Sequence, residues 1–281
     1  MSDDLETDLV RHYQSAGDGA ALLDRIKEAL RLAGADPDRP RRDDLKPADE
    51  FHMGGLPATD ALLAQLSLGI GDRVLDIGSG IGGAARHVAA TTGAEVTGVD
   101  LVPAYVEVAT ALSAAVGETR TRFVPGTANR LPAEDGAFDA ALMIHVGMNV
   151  PDKPALFAEA HRALRPGGTF AVYDAMRTGE GGIAFPVPWA AGPEQSHLAT
   201  PGTYREAADA AGFLLTAERD RGDFARDFFA QAAARAAEHG PPPISIAVLM
   251  GETARDKIAN LRAALDARAI SPVEMIFRKP G

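Results

Sequence analysis

Apolar residues recur along this chain in two rhythms. Leu22, Leu23, Ile26 and Leu30 repeat at helical spacing over residues 19–33, residues 3–14 carry a similar pattern, and Gly34 is a natural stop. Residues 36–47, rich in charge and proline, read as a loop leading into Phe51-His52-Met53-Gly54-Gly55, and a short amphipathic helix is expected over residues 59–68. Short apolar runs of strand length follow at residues 73–77, 95–99, 121–124, 138–144 and 169–174, and helical patterns at 82–91, 103–116 and 153–164 separate most of them. Strands alternating with helices predict a parallel, doubly wound sheet, because parallel neighbours need a crossover element. Right-handed crossovers then put the ligand crevice at the carboxyl ends of the strands. Residues 178–200 form a long insertion holding Phe185-Pro186-Val187-Pro188-Trp189, a length that suits a lid or binding loop better than a plain connection. The pattern closes with a helix over about 201–211, a strand at 213–219, a helix at 223–238, the breaker Gly240-Pro241-Pro242-Pro243, a helix near 252–267 and a strand at 273–277. It divides into an N-terminal helical cap (1–56) and an α/β domain (57–281) with a lid insertion at 178–200 and a helical insertion at 222–270.

Composition narrows the chemistry. With 28 basic and 39 acidic residues the formal charge is −11, which argues against a nucleic-acid or anionic-membrane partner, whose binding rests on Lys and Arg neutralising phosphate. The chain has no cysteine, so disulfides, thiolate nucleophiles and Cys-ligated metals are excluded. The N-terminus lacks the basic and apolar regions of a signal peptide, and no apolar run reaches the ~20 residues of a membrane span. A cytoplasmic location is expected. No His/Asp/Glu spacing of the His-Glu-x-x-His kind occurs, so no metal is expected, and there is neither a Gly-x-Ser-x-Gly elbow nor a Walker loop.

The most informative segment is Val74-Leu75-Asp76-Ile77-Gly78-Ser79-Gly80-Ile81-Gly82-Gly83. A buried strand runs into a glycine-rich turn that opens a helix, where backbone N–H groups can approach a ligand closely. The spacing Gly78-x-Gly80-x-x-Gly83 also satisfies the dinucleotide fingerprint. Asp76 separates the readings. An acid two residues before the first glycine is unfavourable beside a pyrophosphate and favourable beside a ligand carrying an ammonium and a sulfonium. Asp100, at the end of the next strand, is placed to accept the hydroxyls of a ribose in either case.

The segments VLDIGSGIGG, VTGVDL, LPAEDGAFDAALMIH and LRPGGTFAVYD, in that order and spacing over about residues 72–174, resemble the successive motifs of class I S-adenosylmethionine (SAM)-dependent methyltransferases. FHMGG, GIGGAARHVA, PVPWA and the terminal VEMIFRKP are similar to the small-molecule group around the ubiquinone/menaquinone, tocopherol and sarcosine/dimethylglycine enzymes. The resemblance implies a Rossmann-like α/β fold with a mostly parallel seven-stranded sheet, helices on both faces, SAM as cofactor and a small-molecule methyl acceptor, with a homodimer as the assembly to test. It implies that Asp76 orients the methionine end of SAM, with Gly78, Ser79, Gly80 and Gly82 lining it, that Asp100 takes the ribose hydroxyls, and that Leu101 lies against the adenine. Gly126-Thr127-Ala128 falls where many relatives have Gly-Asp-Ala, so either Thr127 or a neighbour replaces the acid that accepts the adenine amine.

His145 ends the fourth strand and would lie between sulfonium and acceptor, as general base or as an orienting group; His52 is the alternative. Tyr13, Met148, Asn149, Arg177, Trp189 and His197 are expected around the acceptor, Arg177 to grip a carboxylate and Trp189 to face a methylated ammonium. The dimethylglycine-like flanks favour a small amine or amino acid, and PVPWA suits the oxygen or carbon of a quinol, polyketide or terpenoid equally. The rivals from other classes are an NAD-dependent oxidoreductase and a non-catalytic SAM-binding module.

Overall fold

Central strands of a parallel sheet are covered on both faces, so they must be apolar throughout. Val74, Leu75 and Ile77 meet that demand and are fully buried. The computed structural model describes residues 3–13 and 18–281. Four helices come first: α1 (Asp3–Tyr13), α2 (Gly19–Leu32), α3 (Arg42–Asp49) and α4 (Gly55–Leu63). The alternation then runs β1 (Arg73–Ile77), α5 (Gly83–Thr92), β2 (Glu95–Asp100), α6 (Pro103–Ala115), β3 (Thr121–Pro125), β4 (Phe138–Ile144), α7 (Lys153–Ala163) and β5 (Leu164–Arg177). It closes with α8 (Pro201–Ala210), β6 (Leu214–Asp220), α9 (Gly222–His239), α10 (Ala247–Met250), α11 (Ala254–Asp266) and β7 (Ile270–Arg278).

The seven strands form one sheet in the order β3-β2-β1-β4-β5-β7-β6. The first five are parallel, and β7 runs antiparallel to both β5 and β6. The order reverses between β1, which pairs with β2 on one side, and β4 on the other. A crevice opens at such a switch point beyond the carboxyl ends of the strands, which is where Asp76, Asp100 and His145 fall.

One face of the sheet is closed by Leu156, Phe157, Tyr204 and Phe213 packing on Phe170, Val172 and Phe277. On the other, Leu62, Val88 and Ala89 pack on Val74, Val96 and Leu142. The N-terminal helices have no separate core: Leu22, Ile26 and Leu30 share one cluster with Val108 and Leu112 of α6. Phe185–Trp189 and the C-terminal helices meet in another, through Val187, Trp189, Ala225, Leu261 and Leu265.

The structure departs from the sequence expectation in the N-terminal third. The second half of the expected loop over 36–47 belongs to α3, which has only Leu45 and Ala48 as buried anchors but starts on a capping box. There the Arg41 N–H donates to Asp44 at 2.8 Å and the Asp44 N–H donates to the Arg41 carbonyl at 3.0 Å, a reciprocal arrangement that stabilises a helix start. The helix expected at 59–68 begins earlier, at Gly55, and ends at Leu63; Leu66 and Leu68 still pack on the sheet, so their apolar spacing continues without the helix. The first helix is described to Tyr13, and the residue expected to end it, Gln14, lies outside the described residues.

Candidate active site

A cleft of about 1050 Å³, open in part to solvent, sits over the β1 and β2 carboxyl ends, lined among others by Asp49, Asp76, Ser79, Gly80, Asp100 and Thr127. Its floor is the glycine turn. The Gly78 and Ser79 N–H groups both donate to the Val99 carbonyl, at 2.7 and 3.1 Å, which ties the turn to β2. Gly78 has φ +75°, and a Cβ there would strike the Val146 side chain. Gly80 has φ +53° and open space where a Cβ would sit, so it is required by its left-handed backbone rather than by crowding.

Asp76 is 2% exposed, and its Oδ2 has no hydrogen-bond partner. Burial pushes its carboxyl up to about 7, and the nearby Asp100 and Glu50 add to the rise. The Ser79 hydroxyl is likewise buried and unpartnered. Burial raises Asp100 to about 6, while N–H groups of Gly80 (2.7 Å) and Val102 (2.8 Å) donate to its two oxygens. A carboxylate offers about four acceptor positions, so Asp100 keeps capacity for two further donors. Buried polar atoms without partners are rare in folded proteins. An unpaired carboxylate oxygen and a hydroxyl facing one cleft fit a ligand that brings a cation and donors of its own, as the ammonium and ribose of SAM would.

His145 closes the far wall. It has φ +54°, uncommon for a residue with a Cβ, and is held there by its N–H to the Tyr173 carbonyl at 2.8 Å. Its Nδ1 lies 3.2 Å from the same carbonyl and is therefore the protonated nitrogen; the Met53 N–H faces Nε2 at 3.4 Å. His52 is set differently. Its Nε2 is surrounded by oxygens: the Gly55 carbonyl at 3.1 Å, the Thr59 hydroxyl at 3.1 Å and Glu50 at 3.5 Å. Burial lowers His52 to about 4 and His145 to about 3, so both rings are neutral near pH 7.

A second, smaller space of about 510 Å³ adjoins the cleft and is lined by Tyr13, Phe51, His52, Met53, His145, Met148, Pro188, Trp189, Phe229, Ile246, Met250, Ile258 and Leu261. With the histidines neutral, this lining carries no charged side chain. Trp189 is fixed by its indole N–H to the Ser196 hydroxyl at 3.0 Å, and the Asn149 amide donates to the Trp189 carbonyl at 2.8 Å. Tyr13 donates to Asn149 at 2.8 Å, and His12 is 3.2 Å from the Pro188 carbonyl. The first helix and the insertion thus meet over the chamber.

Of the residues expected from sequence, Asp76, Gly78, Ser79, Gly80, Asp100, Leu101, Thr127, Ala128, Asn149, Tyr13, His52 and His145 line the cleft, and Met148 and Trp189 line the chamber. Three are placed elsewhere. Gly82 lies behind the turn, where a Cβ would meet Phe123 and Arg86. Arg177 lines neither space; its guanidinium donates to the Gly181 carbonyl at 3.2 Å. His197 also lines neither, and its backbone serves the lid, its N–H donating to the Met148 carbonyl and its carbonyl accepting from Lys153. Arg177, expected to grip a substrate carboxylate, stands outside both linings, at the end of a β5 that runs three residues past Asp174. Residues the sequence did not single out include Asp49, Glu50, Phe229, Met250 and Leu261; no local motif marks them. No grouping of His, Asp and Glu able to hold a metal occurs among the described residues, and no described helix is long and apolar enough to cross a membrane.

Residues 75–172 match the family model of the methyltransferase domain. A sterol 24-C-methyltransferase of Gibberella zeae is 35% identical over 120 residues, 42% of this chain and 32% of the relative. The chain spans about a third of the length of such curated relatives. Among solved structures, geranyl diphosphate C-methyltransferase of Streptomyces coelicolor superposes with TM-score 0.70 at 14% identity, covering 99% of each chain. A candidate sarcosine dimethylglycine methyltransferase of Galdieria sulphuraria gives 0.64 at 22%, covering 80% of this chain and 86% of that one. The fold and the matched segment are those of a class I SAM-dependent methyltransferase.

Proposed function

We propose that this chain, a class I SAM-dependent methyltransferase of the small-molecule group, transfers the methyl group to a carbon of an apolar acceptor held in the Trp189 chamber. The observation that carries the acceptor class is the lining itself: apolar and aromatic side chains, two neutral histidines and one tyrosine, with no charge to match an amino acid. An amino-acid acceptor would bring a carboxylate, and Arg177, the side chain expected to meet it, lies outside the chamber. The carbon-methylating activity in the names of the sterol relatives supports the same choice.

Asp76 would hold the ammonium end of SAM and Asp100 the ribose, with Leu101 and Thr127 beside the base. SAM supplies an already activated methyl group and a neutral thioether leaving group. The protein's task is therefore alignment and exclusion of water. Fixing two reactants in line is worth up to ~7–11 kcal/mol of a barrier, and charge that disperses in the transition state is favoured by a dry site. Tyr13, Asn149 and Trp189 tie α1, the loop after β4 and the insertion into one cover, which supplies both.

Incubating the protein with methyl-labelled SAM and a panel of apolar alkenes, quinols and polyketide-like phenols, alongside sarcosine and dimethylglycine, tests the reading. Labelled carbon–methyl product from the apolar set is expected. Turnover confined to the amines would overturn it.

A further inference from the structure

Two neutral histidines face the reacting region, and their surroundings are opposite. At His145 both nitrogens are engaged by backbone: Nδ1 with the Tyr173 carbonyl and Nε2 with the Met53 N–H. A proton arriving on Nε2 would set two N–H groups against each other at 3.4 Å. At His52, Nε2 is met only by acceptors, because the Thr59 hydroxyl spends its hydrogen on Glu50 at 2.9 Å and presents a lone pair to the ring. Its proton therefore resides on Nε2. Nδ1 keeps a lone pair with no partner among the described residues, on a ring that lines both the cleft and the chamber.

We propose that His52 is the proton acceptor of the reaction, and that Glu50, acting with Thr59 and beside the Gly55 carbonyl that also holds the Nε2 proton, is a positioning residue that supports this tautomer and balances the charge developed on the ring. The inference rests on the methyl-transfer reading above and deepens it. The acceptor's electron pair forms the new bond to the methyl carbon, and the carbon–sulfur pair remains on sulfur, which becomes neutral. His52 Nδ1 takes the proton displaced from the acceptor, whose bonding pair stays with the acceptor. One positive charge has thus moved from sulfur to the imidazole. The Glu50 carboxylate, 3.5 Å from Nε2, is placed to balance it. Among the described residues Glu50 is the carboxylate that pairs with the His52 ring; the chamber lining itself carries no acid, and Asp49, Asp76 and Asp100 stand in the adjoining cleft.

The tautomers can be read without turnover. In the full chain labelled with ¹⁵N-histidine, ring-nitrogen NMR is expected to show His52 protonated at Nε2 and bare at Nδ1, with His145 the reverse. In turnover, Glu50→Gln keeps an acceptor for Thr59 and removes the charge. It should lower kcat ~10-fold or more and leave SAM affinity and acceptor KM near wild type, with Glu50→Asp restoring part of the loss. His52→Asn should lose ~100-fold, within the usual range for a positioned base. His52 found protonated at Nδ1, or Glu50→Gln at full kcat, would overturn the proposal. Should Glu50→Gln fail to fold, the wild-type tautomer alone decides. A wild-type protein that binds SAM and methylates no apolar acceptor would instead refute the proposed function, whatever the tautomer.

Discussion

Asp76 presents a conflict between stability and binding that one isosteric substitution can expose. Burial lifts its carboxyl from 3.8 to about 7, and Oδ2 has no partner. A shift of that size costs the ionised form about 4 kcal/mol in the ligand-free protein. The sign follows from proton binding. The folded state holds this proton more tightly than the unfolded state, so the associated stability is present below pH ~4 and is lost as pH rises through about 7. Asp76→Asn removes the titration. Its amide nitrogen in place of Oδ2 stays unpaired, a fixed cost of about 1–3 kcal/mol that does not vary with pH. The variant should therefore gain on wild type by about 3 kcal/mol between pH 5 and pH 8 and be the more stable protein at pH 8. It should nonetheless bind S-adenosylhomocysteine ~10–100-fold more weakly, having lost a charge-assisted bond of about 1.5–3 kcal/mol to the ammonium. Urea denaturation of both proteins at the two pH values gives the first quantity, and titration calorimetry gives the second. A stability difference that stays flat with pH, or an unchanged affinity in the folded variant, would refute the account of Asp76.

Three further substitutions probe the rest of the site. Asp100→Ala should weaken S-adenosylhomocysteine at least ~10-fold by calorimetry, and should also lower Tm, since the N–H groups of Gly80 and Val102 lose their acceptor. Trp189→Ala empties a side chain that is 2% exposed and should cost about 3–5 kcal/mol of stability; in the folded variant, acceptor KM should rise while SAM affinity stays the same. Arg177→Ala should leave turnover of the apolar acceptor within ~2-fold, because this half-buried side chain lines neither space and its guanidinium donates to the Gly181 carbonyl; a large rise in KM would return Arg177 to the acceptor.

The alternating core was legible because its signals are local. An apolar run of strand length, a glycine turn and a helical pattern are each contained within about a dozen residues, and the observed β1, β4 and α6 begin where the pattern places them. The α3 helix was hidden because it buries only Leu45 and Ala48, too few positions to define a period, and is initiated by the Arg41–Asp44 exchange rather than by an amphipathic stripe. Likewise, the spacing of Leu66 and Leu68 reports packing against the sheet. Periodicity cannot distinguish a helix from a turn that buries the same side chains.

The two halves of the site differ in the same physical way. The proposed donor half is built by β1, β2 and the turn between β1 and α5, so its carboxylates sit at fixed distances along the sequence from the glycines that shape the turn, where a local motif can point to them. The acceptor half is assembled from α1, the segment after α3, the end of β4, the insertion and α9 to α11, pieces separated by tens to hundreds of residues. No spacing links Tyr13 to Asn149 or Phe229 to Trp189, and the histidines illustrate the consequence. From sequence, His145 held the stronger claim because it ends a strand where active residues project. Only the arrangement of carbonyls and N–H groups around each ring shows that Met53 occupies the lone pair of His145 and that Glu50 and Thr59 leave that of His52 free. The donor is thus specified by a local turn. The proposed apolar acceptor and the fate of its proton rest instead on tertiary contacts between those pieces.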